Sequence, residues 1–157
     1  LSFFDRAQRS RIVENWLNNG DLSSANAFIS EHGESLNNNW WLRSLSLHKQ
    51  ADFRAASDLI RKNVGAPNLP KIQKDEVAFA RLLRGIELNS NDSEKSTALI
   101  YMLVERGDYK RALPIIDRLL GGDNTGPNLY YWRGECLYRL QDYAESWYAF
   151  KDYIEVL

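Results

Sequence analysis

The sequence predicts an all-α chain built from repeated helical hairpins, and three observations carry that expectation. Apolar residues recur at helical spacing nearly everywhere, and no stretch alternates apolar with polar residues between hairpin turn signals. Four times a helical stretch stops at a short turn and restarts on an aspartate, in Asn19-Gly20-Asp21-Leu22, Gln50-Ala51-Asp52-Phe53, Arg106-Gly107-Asp108-Tyr109 and Leu140-Gln141-Asp142-Tyr143. At the same distances downstream of each aspartate stand a small residue (Ala25, Ala56, Ala112, Ser146) and a large apolar one (Ile29, Ile60, Ile116, Phe150). A helical hairpin used several times over is an interaction scaffold far more often than a catalyst.

The first helix is expected from about Phe3 to Asn18, with Phe4, Ile12, Val13, Trp16 and Leu17 as its apolar stripe. Gly20 suits a left-handed C-terminal position, and Asp21 caps the next helix through Ala25, Phe28 and Ile29. A second pair follows from about Ser35 to Gln50 and from Asp52 to Asn63, setting Trp40, Leu42, Leu45 and Leu47 against Phe53, Ala56, Leu59 and Ile60. The linker Val64-Gly65-Ala66-Pro67-Asn68-Leu69-Pro70 then breaks the pattern, because two prolines within four residues forbid a continuous helix.

Past the break, Pro70 serves as a first-turn residue for a helix reaching about Leu88, with Ile72, Val77, Ala80, Leu83 and Leu88 as candidate buried positions. Asn89-Ser90-Asn91-Asp92 ends it, and Asp92 or Ser93 caps a helix carrying Leu99, Ile100, Leu103 and Val104. The helix after Asp108 runs to about Leu120 and contains Pro114, which lacks an amide hydrogen and should bend or weaken that turn. Gly121 to Pro127 is a loop, and the last pair spans about Asn128 to Leu140 and Asp142 to Leu157. Asp142 with Glu145 is the only good capping box expected among the four turns.

The segment Leu129 to Ile154 places an aromatic early in its first helix (Tyr130), Gly134 at the tight helix contact, Leu137 a turn later, Asp142-Tyr143 at the turn, Ser146 in a small-residue slot and Phe150 packing back. In these features it resembles a tetratricopeptide repeat, although Tyr153 stands where that family has alanine near the end of the second helix. Small residues let two helices approach closely, and the large residue a turn later fills the space between successive hairpins. Asp108 and Asp142 lie 34 residues apart, the period of the family, and Asp21 and Asp52 lie 31 apart. Asp52 to Asp108 spans 56 residues, one period plus about one helix and its linker. The resemblance therefore implies a single domain over 1–157 with an α-α superhelix of about nine helices: two degenerate hairpins in 1–63, an inserted helix in 70–88 and two better-formed hairpins in 92–157.

In arrays of this family the first helix of each pair lines the concave groove. Carried over position by position, the resemblance implies Glu14, Trp41, Leu45, His48, Lys49, Tyr101, Tyr131, Glu135, Tyr138 and Arg139 as candidate partner contacts. Aromatics beside a few cations and acids suit an extended peptide or an exposed helix. The bland alternative is that several of these rings simply pack between irregular hairpins. Trp40 and Trp41 cannot both face one core, since adjacent helical residues point about 100° apart. One is expected to be exposed, to lie at an interface or to cover a neighbouring hairpin.

Composition excludes several other classes. At 157 residues the chain can bury roughly two thirds of its unfolded surface. With 20 Lys and Arg against 21 Asp and Glu, no global field steers it onto nucleic acid or anionic lipid, and neither is an expected partner. No apolar run approaches the roughly 20 residues of a membrane span. The chain opens on Leu1 and not on methionine, which reads as a fragment or mature form that an anchor or targeting segment can precede. The lone Cys136 rules out an internal disulfide and a cysteine-based zinc site, and beside Gly134 it reads as a small buried hydrophobe. Cysteine usage suits a reducing cytosol and a periplasm alike, with a cytoplasmic location favoured.

His32 and His48 have no paired carboxylate cluster, so no metal is expected. Gly121-Gly122 and Gly126 lack the lysine of a phosphate-binding loop. Glu31/Glu34 and Asp75/Glu76 read as solvated faces, so no cofactor or catalytic role is expected. The leading expectation is a scaffold that binds a peptide, helix or subunit within a larger assembly. Self-association through the end of the array or the Trp40-Trp41 surface, and a non-catalytic regulatory role within a larger enzyme, are the alternatives.

Overall fold

The computed structural model describes residues 3–70, 72, 75–88, 92–122 and 126–157, with backbone alone for 87, 88 and 127. Among them it contains nine α-helices and no strand. They form two compact units, Leu1–Gly65 and Ala66–Leu157, whose boundary falls inside the proline-bearing linker. The first unit holds α1 (Arg6–Asn18), α2 (Leu22–His32), a short 3-10 turn at Gly33–Ser35, α3 (Asn39–Lys49) and α4 (Phe53–Val64). The second holds α5 (Glu76–Leu88), α6 (Ser93–Glu105), α7 (Tyr109–Leu120), α8 (Pro127–Arg139) and α9 (Tyr143–Val156). Within each unit, helices adjacent in sequence pack on one another in the manner of an α-superhelix, and in the first α1 also packs on α3.

The four aspartate turns share one geometry. The residue before each aspartate is left-handed, with φ of 82° at Gly20, 61° at Ala51, 76° at Gly107 and 67° at Gln141. Each aspartate amide then donates back to a carbonyl five residues earlier, on Trp16, Leu47, Leu103 and Leu137, at 2.8 to 2.9 Å. The left-handed residue's own amide bonds three residues back, which completes a Schellman closure of the first helix. The same aspartate's carboxylate accepts from the third amide of the next helix, at Ser24, Ala55, Arg111 and Glu145. One residue thus satisfies orphan groups of both helices.

Behind each turn the small and large positions do what their spacing requires. Ala25, Ala56, Ala112 and Ser146 are buried, as are Ile29, Ile60, Ile116 and Phe150. In the last hairpin the Ser146 hydroxyl donates to the Gly134 carbonyl at 2.8 Å, and a β-carbon on Gly134 would lie 2.6 Å from the Phe150 ring. Only glycine lets these two helices approach so closely. The cores are mostly apolar, with Val13, Leu17, Leu42 and Leu45 in the first unit and Leu99, Ile100, Leu103 and Trp147 in the second, beside buried serines such as Ser44, Ser57 and Ser96.

Several boundaries differ from the sequence expectation, each for a local reason. Helix α1 starts at Arg6 and not Phe3, because Asp5 and Gln8 form a reciprocal capping box at 2.7 and 2.9 Å. Of the expected stripe, Val13 and Leu17 are buried, Ile12 and Trp16 are half-buried, and Phe4 is exposed. Helix α3 starts at Asn39 and not Ser35, since Leu36 is extended and Asn38 sits left-handed at φ 50°. That connection is tied to α1 by Arg6, whose guanidinium donates to the Leu36 carbonyl at 3.2 Å, and by Ser10, whose hydroxyl accepts from the Asn37 amide at 2.7 Å.

The inserted helix starts at Glu76 and not Pro70, with Asp75 accepting from the Val77 and Ala78 amides at 2.9 and 3.2 Å. Among its described side chains Phe79 and Ile86 are buried, whereas Val77 and Ala80 are exposed, Leu83 is half-buried and Ile72 lies half-buried before the helix. The expected buried side chain of Leu88, the Asn89-Ser90-Asn91 stop and the middle of the 121–127 loop, residues 123–125, lie outside the described residues. Phe79 is covered by Arg106, the C-terminal cap of α6, whose guanidinium stands 3.9 Å from the ring centroid and 3.0 Å from the Glu76 carboxylate. Asp92, not Ser93, caps α6 through the Lys95 amide at 3.0 Å. Helix α7 runs through the exposed Pro114 without interruption.

Candidate interaction faces

The ten residues singled out from the sequence divide between the two units and are taken unit by unit. In the first, α3 carries Trp41, Leu45, His48 and Lys49 within one helical face, while α1 supplies Glu14. Lys49 is exposed, and Glu14, Trp41 and His48 are half-buried. Leu45 belongs to the core. His48 packs edge-on against Phe53 of α4, with centroids 5.2 Å apart. Trp40 and Trp41 are both half-buried, so the pair divides its area between protein and solvent and neither ring is fully presented.

In the second unit Tyr131 and Glu135 of α8 are buried. Tyr131 anchors an aromatic cluster, with centroids 5.1 Å from Trp132, 5.5 Å from Phe150 and 5.4 Å from Tyr153. Its role is packing between α8 and α9, and Tyr153 fills the position where the resemblance called for alanine. Glu135 accepts from the Arg139 guanidinium at 2.9 Å. That bond makes the guanidinium hold its proton more firmly than usual. Tyr101 and Tyr138 are half-buried and Arg139 is exposed, so these three remain for surface contact. Tyr138 also meets Tyr143 edge-on at 5.3 Å.

A cleft of about 320 Å³ between α2, α3 and α4 was not singled out by the sequence reading. The Ser46 hydroxyl there donates to Asn26 Oδ1 and accepts from Gln50 Nε2 at 2.9 Å, with Ile29, Leu47 and Leu59 as apolar lining and Arg43 at the margin. The available signal was a buried serine in mid-helix, with Asn26 in mid-helix as its partner. Its hydrogen bonds run among its own members and join α2 to α3.

Cys136 is fully buried, and desolvation together with Glu135 and Asp117 pushes its thiol up to about 12. It is thus a protonated packing group at neutral pH. Among the described residues no group of three or more His, Cys, Asp or Glu is placed to hold a metal ion, and no helix is long and apolar enough to cross a membrane. No protein-family model, curated protein or solved structure matches the chain.

Proposed function

We propose that this chain is a tetratricopeptide-like helical-hairpin scaffold that binds a protein segment, with the first helix of each hairpin supplying the contact face. The observation that carries the reading is the fourfold recurrence of one turn geometry, with the small and large residues buried behind every turn. Such an element multiplies a surface without building a catalytic cleft. The half-buried Trp41, Tyr101 and Tyr138, beside exposed Lys49 and Arg139, supply ring area with cations at its edge. No catalytic role is assigned to any residue.

Affinity isolation from the source cells tests this with two charge-reversal pairs. Lys49→Glu with Arg139→Glu should deplete co-isolated partners at least tenfold, whereas Lys62→Glu with Arg118→Glu, on the second helices, should leave them unchanged. Equal loss from both pairs, or from neither, defeats the assignment of the face.

A further inference from the structure

The groove between α5 and α6 contains none of the contact residues named above. It encloses about 350 Å³ and is lined by Ala78, Arg81, Leu82, Gly85 and Lys95. Among the described residues its floor is apolar or small, and its two charged lining residues, Arg81 and Lys95, are both cations. Lys95 reaches its own cap residue Asp92 only at 3.8 Å. Above Gly85 a β-carbon would meet nothing within 4 Å. Elsewhere on α5 Arg84 is exposed, as is Val77 at 59% of its surface. An α-helix meeting this groove would need acids to face its cations and apolar side chains to cover its floor.

The outer face of α9 has that composition. Glu145, Tyr148, Asp152, Glu155 and Val156 fall within about 100° of one another around the helix axis. All five are exposed, Tyr148 at 44% and Val156 at 43%. Half-buried Lys151 stands 3.8 Å from Glu155, and Arg133 also acts on Asp152. Asp152 holds its proton more tightly than an ordinary aspartate, because partial burial and Glu155 outweigh Arg133 and Lys151.

We infer that the α9 face of one copy docks in the α5–α6 groove of a second copy. The two patches are different surfaces of the same unit, so the contact is heterologous and can propagate from copy to copy instead of stopping at a dimer. It uses none of the contact residues proposed above, although Lys95 lies on α6, itself the first helix of a hairpin. One helix in one groove buries less than the roughly 1,200 Å² of a stable interface, so the association is weak and sensitive to salt.

Sedimentation velocity on the whole chain, from about 10 μM to about 1 mM, tests it against the range expected of a small interface. The average mass should rise with concentration past that of a dimer in dilute buffer, and should fall back toward the monomer at about 0.5 M salt. Arg81→Glu with Arg84→Glu, and separately Asp152→Arg with Glu155→Arg, should each stay monomeric with an unchanged helical circular dichroism spectrum. Mixing the two variants should restore association, since reversed groove meets reversed helix and the unaltered surfaces meet one another. A wild-type monomer throughout, association indifferent to both variants, or a mixture that stays monomeric overturns the proposal.

Discussion

A left-handed residue costs an L-amino acid about 1 kcal/mol or more unless it is glycine, and this chain meets that cost at two of its four turns. Ala51 and Gln141 hold φ of 61° and 67° where Gly20 and Gly107 hold the same geometry without strain. Ala51→Gly and Gln141→Gly should therefore each stabilise the protein by about 0.5–1 kcal/mol in chemical denaturation, and Gly20→Ala should destabilise it by a similar amount. Single residues were well legible where their roles are local and repeated, as the buried Ala25, Ala56, Ala112 and Ser146 show. They were less legible where surface was at stake. Tyr131 and Glu135 were reached by analogy with a groove position, but the α9 aromatics Phe150 and Tyr153 close over Tyr131, a tertiary event that no spacing records.

Cys136 supplies a second prediction at this scale. Its thiol loses a proton near its ordinary value of 9.0 when unfolded but only near about 12 when folded. Between those values the folded state binds more protons, so stability present below about pH 9 is lost as pH rises, at up to about 1.4 kcal/mol per pH unit. Between pH 8 and pH 10.5 the wild type should lose more unfolding free energy than Cys136→Ala, although the variant starts lower because it leaves a small cavity. Parallel pH dependences for the two proteins contradict this assignment.

Among the helices, the most informative is α7, which accepts a proline inside its run. Pro114 offers no amide to the Lys110 carbonyl, yet its exposed ring lets solvent satisfy that group. Pro114→Ala should restore the bond and raise stability by about 1–3 kcal/mol, read from the denaturation midpoint at unchanged slope. An unchanged midpoint would mean that the helix is already relaxed around the proline. Element type was legible throughout, because helical periodicity survives any error in where a helix begins. Starts were not, because they depend on side chains folding back on the backbone: Asp5 with Gln8 shortens α1, and Asp75 delays α5. In α5 the expected stripe ran through Val77 and Ala80, but Phe79 is buried instead, since Arg106 arrives from the C-terminal cap of α6 to cover it. Nothing within residues 76–88 announces that arrival.

At the scale of the whole chain, the uneven spacing of the four aspartates was the legible signal. It pointed to an extra helix between two pairs of hairpins within one domain, and α5 stands there, in a second compact unit that begins at Ala66. The partner was not legible, because a scaffold face is specified by which rings stay half-covered, and half-coverage is set by neighbouring hairpins. Site-specific photo-crosslinking in the source cells is the most direct test of the central claim that the first helices form the contact face. A crosslinker in place of Trp41, Lys49, Tyr138 or Arg139 should give discrete adducts with a protein partner, and one in place of Ala27, Lys62 or Arg118 on the second helices should give none. Adducts confined to the second helices, or absent from every first-helix position, would contradict it.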